Sequence, residues 1–378
     1  MHETLLSSSN WNANIPFIPF YVDPYKYEIS CVLFEACNLH CKFCFEEKSN
    51  VKIDPDYILS IPDKCLEEYK RASLPYKNIH ELRLMFWGGE VFFDELPDSM
   101  FDTYKQMVDK FNILFKQEYP DLNLVFTWMS NGVNTKWDRI EDLLRYCNGK
   151  IGFSYDPMDR FETQEQEDMM IASANHFNEL GLCFAISITL TKPCIDKFIS
   201  GQTKLKYFND QNINIDVNYY IPNPEWKSLI ANDDDLYNFF KYAIDNKLYN
   251  IKIVEKFYQL NYNTIIQKQC DCKQCSQLTF GKWTTNCAKR SSVLPEEDFF
   301  GDSMPYVTDE NTNDIAAIRG MLKRGCLQCE YFNRCQMLCW TSFNFKGFIP
   351  TVCPLYKAYK YIASNPIIQE EYDKWKKF

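Results

Sequence analysis

The stretch YEISCVLFEACNLHCKFC, residues 27–44, runs from a β-rich segment straight into three cysteines, Cys37, Cys41 and Cys44. Its first half is short and apolar, as a buried strand is, and the cysteines fall in the loop that follows. Working outward, the same strand character returns in HELRLMFW (80–87), LNLVFTWMS (122–130), KIGFSYD (150–156), LCFAISITLT (182–191) and INIDVNYYI (213–221). Between these runs, amphipathic segments of helical period fall near 54–72, 95–117, 136–148, 163–180, 194–209 and 233–248. Asp54, Thr135 and Asn232 stand near plausible helix starts, and Pro62 is a point where the first helix kinks or breaks. Six strand-helix units in strict alternation predict an α/β fold of parallel strands with helical crossovers. Periodicity leaves two forms open, a doubly wound sheet and a barrel-like sheet.

The alternation stops near residue 250, where cysteine-dense, turn-rich sequence takes over. A chain of 378 residues suits one large domain with a small appendage. The expected organisation is an N-terminal extension (1–27), an α/β domain (28–250) and a cysteine-rich part (251–378) that lacks an apolar pattern of its own and would be held by metal. A net charge of -10 argues against sequence-independent nucleic-acid binding, which needs a basic stripe. The start MHETLLSSSNWNAN has no basic segment followed by an apolar one, and no run approaches about 18 apolar residues. A cytoplasmic protein without a membrane span is expected.

In such a setting the 17 cysteines read as metal ligands more readily than as a disulfide framework. Nine of them lie between Cys270 and Cys353, and five stand singly: Cys31, Cys65, Cys147, Cys183 and Cys194. The five read as buried small hydrophobes. Three thiolates can hold three irons of a 4Fe-4S cluster and leave the fourth iron with an open site, which inner-sphere redox chemistry requires. A structural zinc ion wants a fourth protein ligand; His40 is the candidate, poorly placed between Cys37 and Cys41. A zinc ribbon in the C-terminal part would explain one tetrahedral site but strains to use nine cysteines.

With Phe43 just before the third cysteine, the triplet resembles the signature of the radical SAM superfamily. FWGGE (86–90), at the end of the second strand candidate, is similar to the GGE motif of that family. The resemblance implies a partial (β/α)6 barrel with its site at the C-terminal strand ends, as in β/α folds generally. It implies that S-adenosylmethionine (SAM) chelates the open iron through its amino and carboxylate groups and is cleaved by one-electron reduction to a 5'-deoxyadenosyl radical. Gly88, Gly89 and Glu90 would then contact the methionyl amino group. Ser130 and Asn131, in SNG, and Ser154 and Asp156, in SYDP, match softer elements that contact SAM; each also reads as turn chemistry.

The run CLQCEYFNRCQMLC (326–339), followed by Cys353, resembles the SPASM domain, which typically binds two auxiliary 4Fe-4S clusters. Its upstream hairpin is present in altered form, Cys272-x8-Gly281-x5-Cys287, with Gly281-Lys282 as the expected turn pair. The resemblance assigns Cys272, Cys287 and Cys339 to the first auxiliary cluster, with Cys270 as fourth ligand and Cys275 as its competitor. It assigns Cys326, Cys329, Cys335 and Cys353 to the second, three clusters in all. It also implies a peptide or protein substrate and a flavodoxin or ferredoxin as reductant. The leading expectation is maturation of a ribosomally made peptide by thioether or carbon-carbon cross-linking or a related oxidation. Only 36 residues precede Cys37, so leader binding is expected to involve either a separate leader-recognition protein or the catalytic domain itself. The alternative is an anaerobic sulfatase-maturating enzyme that forms formylglycine from Cys or Ser; a non-catalytic peptide-binding relative is a third. MFWGGEVFF lacks the proline that usually follows GGE in sulfatase maturases, and MSNG replaces their QTNG. In favour of that alternative, Glu255 falls near the position of their general base.

Overall fold

The computed structural model describes residues 25–44, 53–72, 79–220, 224–258, 275–279, 282–284, 325–331, 335 and 352–377. Six strands form where the β-rich runs lie: β1 (Lys26–Val32), β2 (Glu81–Trp87), β3 (Asn123–Ser130), β4 (Lys150–Ser154), β5 (Cys183–Leu190) and β6 (Ile215–Tyr219). They pair in parallel with one another in chain order. The order decides between the two forms left open. A doubly wound sheet reverses its strand order at a switch point and carries helices on both faces, whereas unbroken sequential order keeps right-handed crossovers on one face. The sheet is accordingly a curled half-barrel.

Side-chain alternation sorts the two faces. In β2, Leu82, Leu84 and Phe86 are fully buried while Glu81, Arg83, Met85 and Trp87 are half-buried. The buried set meets the helices. Phe86 lies 4.6 Å from Trp128 of β3 and 6.0 Å from Phe111 of α2 (Ser99–Glu118). Cys31 of β1 faces Cys65 of α1 (Pro55–Ala72) at 3.6 Å in the core, as expected of buried small hydrophobes. The opposite face mixes polar and apolar side chains: Met85 and Trp87 of β2 are on it, and Asn218 of β6 donates to the Ser187 hydroxyl of β5 at 2.6 Å.

Local chemistry places the helix starts. The Asp54 carboxylate accepts from the N–H groups of Asp56 and Tyr57, capping α1. Asn232 and Asp235 form a reciprocal capping box at the start of α7 (Asp233–Asp245). Helices α3 (Trp137–Tyr146) and α4 (Gln164–Glu179) fall where the periodicity puts them. Two expectations fail. Pro62 sits inside an unbroken α1. The helix expected over 194–209 is two, α5 (Lys192–Ile199) and α6 (Leu205–Asp210), because the chain turns at Gly201 with φ +71°.

The sheet continues past residue 250. Strand β7 (Cys275–Thr279) pairs in parallel with the outer edge of β1, and β8 (Lys282–Thr284) returns antiparallel on it. Thr279 pairs with Lys282. Lys282, expected in the turn pair, is therefore in β8, and Gly281 lies outside the described residues. After α8 (Lys252–Phe257), two C-terminal helices, α9 (Pro354–Ala363) and α10 (Pro366–Trp375), close the described chain, and α9 packs on α7. No helix among the described residues is long and apolar enough to cross a membrane.

Candidate active site at the strand ends

Parallel strands bring their C-terminal ends to one edge, and the cysteine loop starts there. Beyond β1 the backbone stays extended: Leu33 N–H donates to Trp87 C=O, Gly89 N–H to Phe34 C=O and Glu90 N–H to Ala36 C=O, each at 2.8 Å. This ladder carries the chain up to Cys37. It explains both glycines in structural terms, because a Cβ at Gly88 would stand 2.1 Å from Phe34 O and one at Gly89 2.0 Å from Ala36 O. The half-buried thiols of Cys37, Cys41 and Cys44 follow on a loop gripped from two sides. Asn38 donates to Val133 C=O at 2.8 Å, and Asn131 donates to Asn38 at 2.8 Å while approaching Cys37 Sγ at 4.0 Å. On the other side Lys42 N–H donates to Asp159 C=O at 3.4 Å.

Glu90 joins the strand ends beneath this loop. Its side chain is buried, 1% exposed, and accepts three hydrogen bonds: from Phe92 N–H (3.0 Å), the Ser130 hydroxyl (2.9 Å) and Asn131 N–H (2.5 Å). Burial pushes its carboxyl up from the ordinary 4.5 to about 7, although the three donors and Arg160 pull it down. The folded state thus holds the proton that the unfolded chain releases between those values. This contribution to stability is complete below pH 4.5 and is lost as pH rises to about 7, by roughly 3 kcal/mol. Glu90→Gln should flatten the slope of urea-unfolding free energy across that window. Glu90→Ala strands three buried donors and should lower stability by about 3 kcal/mol or more at any pH.

At the end of β4, Ser154 is half-buried, but the Asp156 carboxylate is fully buried and turned inward. Its Oδ2 accepts from Nε–H of Arg160 at 2.8 Å and forms an ion pair with Nη2 at 2.8 Å, while its Oδ1 accepts from Thr189 N–H at 2.5 Å. Arg160, which sequence reading missed, stands 5.2 Å over the Phe43 ring. Burial pulls its guanidinium down, but Asp156, Cys41 and Cys44 outweigh that and hold it protonated. The donor set of the loop, three half-buried thiols within eight residues and next to a ring that carries a cation, fits an iron-sulfur cluster.

Four of the C-terminal cysteines lie among the described residues. Cys326, Cys329, Cys335 and Cys353 are all half-buried. Cys329 N–H donates to Cys326 C=O at 3.0 Å, closing a short turn between the two. Tyr359, 1% exposed, has its hydroxyl pushed well up by burial first and then by Cys335, Cys329 and Cys353, which surround it. Its ring stacks on Tyr331 at 5.1 Å. Cys270, Cys272, Cys287 and Cys339 lie outside the described residues, and for Cys275 only the backbone, in β7, is described. Among the described residues no group of three or more His, Cys, Asp or Glu is gathered around a point suited to a single metal ion.

Glu255 is not brought to this edge. It sits on α8, just after Ile251, which bridges Ile215 at the N-terminal start of β6. Its carboxylate meets the C-terminal helix instead, accepting from the Tyr372 hydroxyl at 3.4 Å with Lys376 at 3.9 Å. Glu255→Gln should leave product formation per enzyme unchanged and cost under about 1 kcal/mol, since the ion pair is half-exposed. Loss of product with normal SAM cleavage would restore it as a catalytic base.

No protein-family model matches the chain, and no curated protein matches it either. Solved structures do. That of anSMEcpe with bound AdoMet superposes with TM-score 0.60 at 15% identity, covering 91% of this chain and 98% of that one. The anSMEcpe complex with AdoMet and the Cp18Cys peptide gives 0.59 at 16% identity, covering 92% and 99%. Streptococcus suis SuiB bound to precursor peptide SuiA gives 0.47 at 14%, covering 87% and 76%, too low to bear on the fold. At these identities the likeness to anSMEcpe establishes that the chain has the same fold along nearly its whole length.

Proposed function

We propose that this chain is a radical SAM enzyme of the SPASM type that modifies a peptide or protein. One observation carries the reading. The β1–β2 ladder leads the loop of Cys37, Cys41 and Cys44 off the strand-end edge where Gly88, Gly89 and Glu90 follow β2 and Ser130 and Asn131 close β3, with Glu90, Ser130, Asn131 and Cys37 linked by hydrogen bonds. The fold shared with an AdoMet-bound protein supports it. Cys37, Cys41 and Cys44 would hold the SAM-binding 4Fe-4S cluster, and Cys326, Cys329, Cys335 and Cys353 an auxiliary one. A further auxiliary cluster would use Cys272, Cys287, Cys339 and either Cys270 or Cys275. When bound, the SAM-cluster pair supplies the 5'-deoxyadenosyl radical that abstracts hydrogen from substrate. The chain's own part is to bind and orient. Gly88, Gly89 and Glu90 would meet the methionyl amino group, and Ser154 with Asp156 would order the ribose side, Asp156 acting through the backbone it pins.

As substrate we favour a ribosomally made precursor peptide, because Val91 rather than proline follows Glu90 and Met129 precedes Ser130. Sulfatase maturation is the second reading, supported by the fold of anSMEcpe, an anaerobic sulfatase-maturating radical SAM enzyme whose structure includes a bound peptide. Anaerobically reconstituted protein should carry about twelve irons, three clusters of four, and should release 5'-deoxyadenosine from SAM with dithionite. Zinc alone, or four irons and no more, would sink the C-terminal assignment. Mass spectrometry then separates the substrates: formylglycine in a cysteine-containing sulfatase peptide overturns the precursor-peptide reading.

A further inference from the structure

The buried pair Asp156–Arg160 is asymmetric. Asp156 is fully buried and Arg160 has a side chain only 15% exposed, a costly place for two charges. Apolar residues of similar size often fill such a place with no loss of stability, so stability alone does not account for the pair. Its two ends face different surroundings. The carboxylate end is anchored on the far side by Thr189 N–H of β5. The guanidinium end stands over Phe43 and acts on Cys41 and Cys44. The Nε–H hydrogen bond to Oδ2 and the ion pair of Nη2 with the same oxygen hold the guanidinium against Asp156. The same segment gives Asp159 C=O to Lys42 N–H, so the cation and the cysteine loop are carried as one body.

On the reading of Cys37, Cys41 and Cys44 as cluster ligands, we propose that Arg160 is a positioning residue that raises the reduction potential of their cluster. Reduction adds one negative charge to the cluster. A cation held nearby interacts more favourably with the more negative, reduced form, and the effect is large where water is excluded. Asp156 carries the opposite charge and opposes it in part, its other oxygen being turned to Thr189 N–H. The guanidinium is the end of the pair that stands over Phe43, next to Cys44.

The test is a potentiometric titration of the full-length, anaerobically reconstituted protein without SAM, followed by electron paramagnetic resonance. The signal absent from the Cys37→Ala/Cys41→Ala/Cys44→Ala protein identifies the cluster. Arg160→Met should lower its midpoint by at least the equivalent of a tenfold change in the reduced fraction, about 59 mV for one electron. Arg160→Lys keeps the charge but not the fork, and its midpoint should stay near that of the wild type. Should Arg160→Met fail to fold with Asp156 stranded, Asp156→Asn/Arg160→Met strands no charge and should show a fall in the same direction, smaller because the opposing carboxylate is removed as well. Equal midpoints for the wild type and the uncharged variants overturn the proposal, as does an equal fall in Arg160→Lys. So does a loss confined to SAM affinity, which would make Arg160 a ligand of SAM. If the wild type shows no signal beyond that of the triple variant, the proposed function itself fails and this inference with it.

Discussion

Changing Cys37, Cys41 and Cys44 together to alanine is expected to abolish 5'-deoxyadenosine formation completely while leaving about eight irons bound by the C-terminal cysteines. The loss should be total because the variant keeps none of the three thiolates proposed to hold the SAM-binding cluster. The protein should still fold. The loop is held by Asn38, Asn131, Val133 and Asp159 through contacts that do not require the sulfur atoms, and the thiols themselves are only half-buried. Iron analysis with a SAM-cleavage assay on the same preparation checks both halves. Continued cleavage would remove the triplet from the active site, and loss of all iron would show that the C-terminal sites depend on it.

Gly89→Ala is the second large effect. An added Cβ would meet Ala36 O at 2.0 Å and Glu35 O at 2.4 Å, both backbone atoms that cannot rotate away. The strands must separate, breaking the bonds from Gly89 to Phe34 and from Glu90 to Ala36. Strain and two lost hydrogen bonds together amount to about 4 kcal/mol. The displacement acts directly on the residue before Cys37, so SAM cleavage should fall at least a hundredfold even in the fraction that folds. Gly181→Ala, where a Cβ meets nothing within 4 Å but φ is +67°, gives the control: backbone strain without a clash at the site. Comparable activity of Gly89→Ala and the wild type would show that the loop tolerates the shift.

Most of the scaffold was legible because its determinants are local. Alternation in β2, the Asp54 and Asn232 caps and the cysteine spacing each act over a few residues. Periodicity alone did not give the sequential strand order, being the same in either kind of sheet; the motif resemblance implied a partial barrel, and the pairing bears it out. Gly201 was visible as a residue but not as a break, because whether a glycine interrupts a helix depends on what packs beside it. Arg160 was hidden for a related reason. Its role comes from a fork closed on Asp156 four residues earlier and from Phe43 far away in the chain, a junction that no local pattern records. Glu90 was found by its motif, yet its partners on β3 were not, and those partners are what bury it.

The pairing of β1 with β7 bears on how the chain reaches this state. Glu28 lies opposite Cys275 and Val32 opposite Thr279, with the rest of the parallel sheet between them in sequence. During synthesis β1 can pair with β2 early, but its other edge stays open until the ribosome has made nearly three quarters of the protein. An open edge with Ile29 and Val32 on it is a template for pairing with other chains. Closing so long a loop is also slow, as folding rates fall when contacts join distant residues. A chain ending at residue 258 would keep the six strands and the cysteine loop yet leave that edge bare. It should aggregate where the full-length protein does not, so the cysteine-rich segment serves the barrel as an edge guard whatever metal it holds.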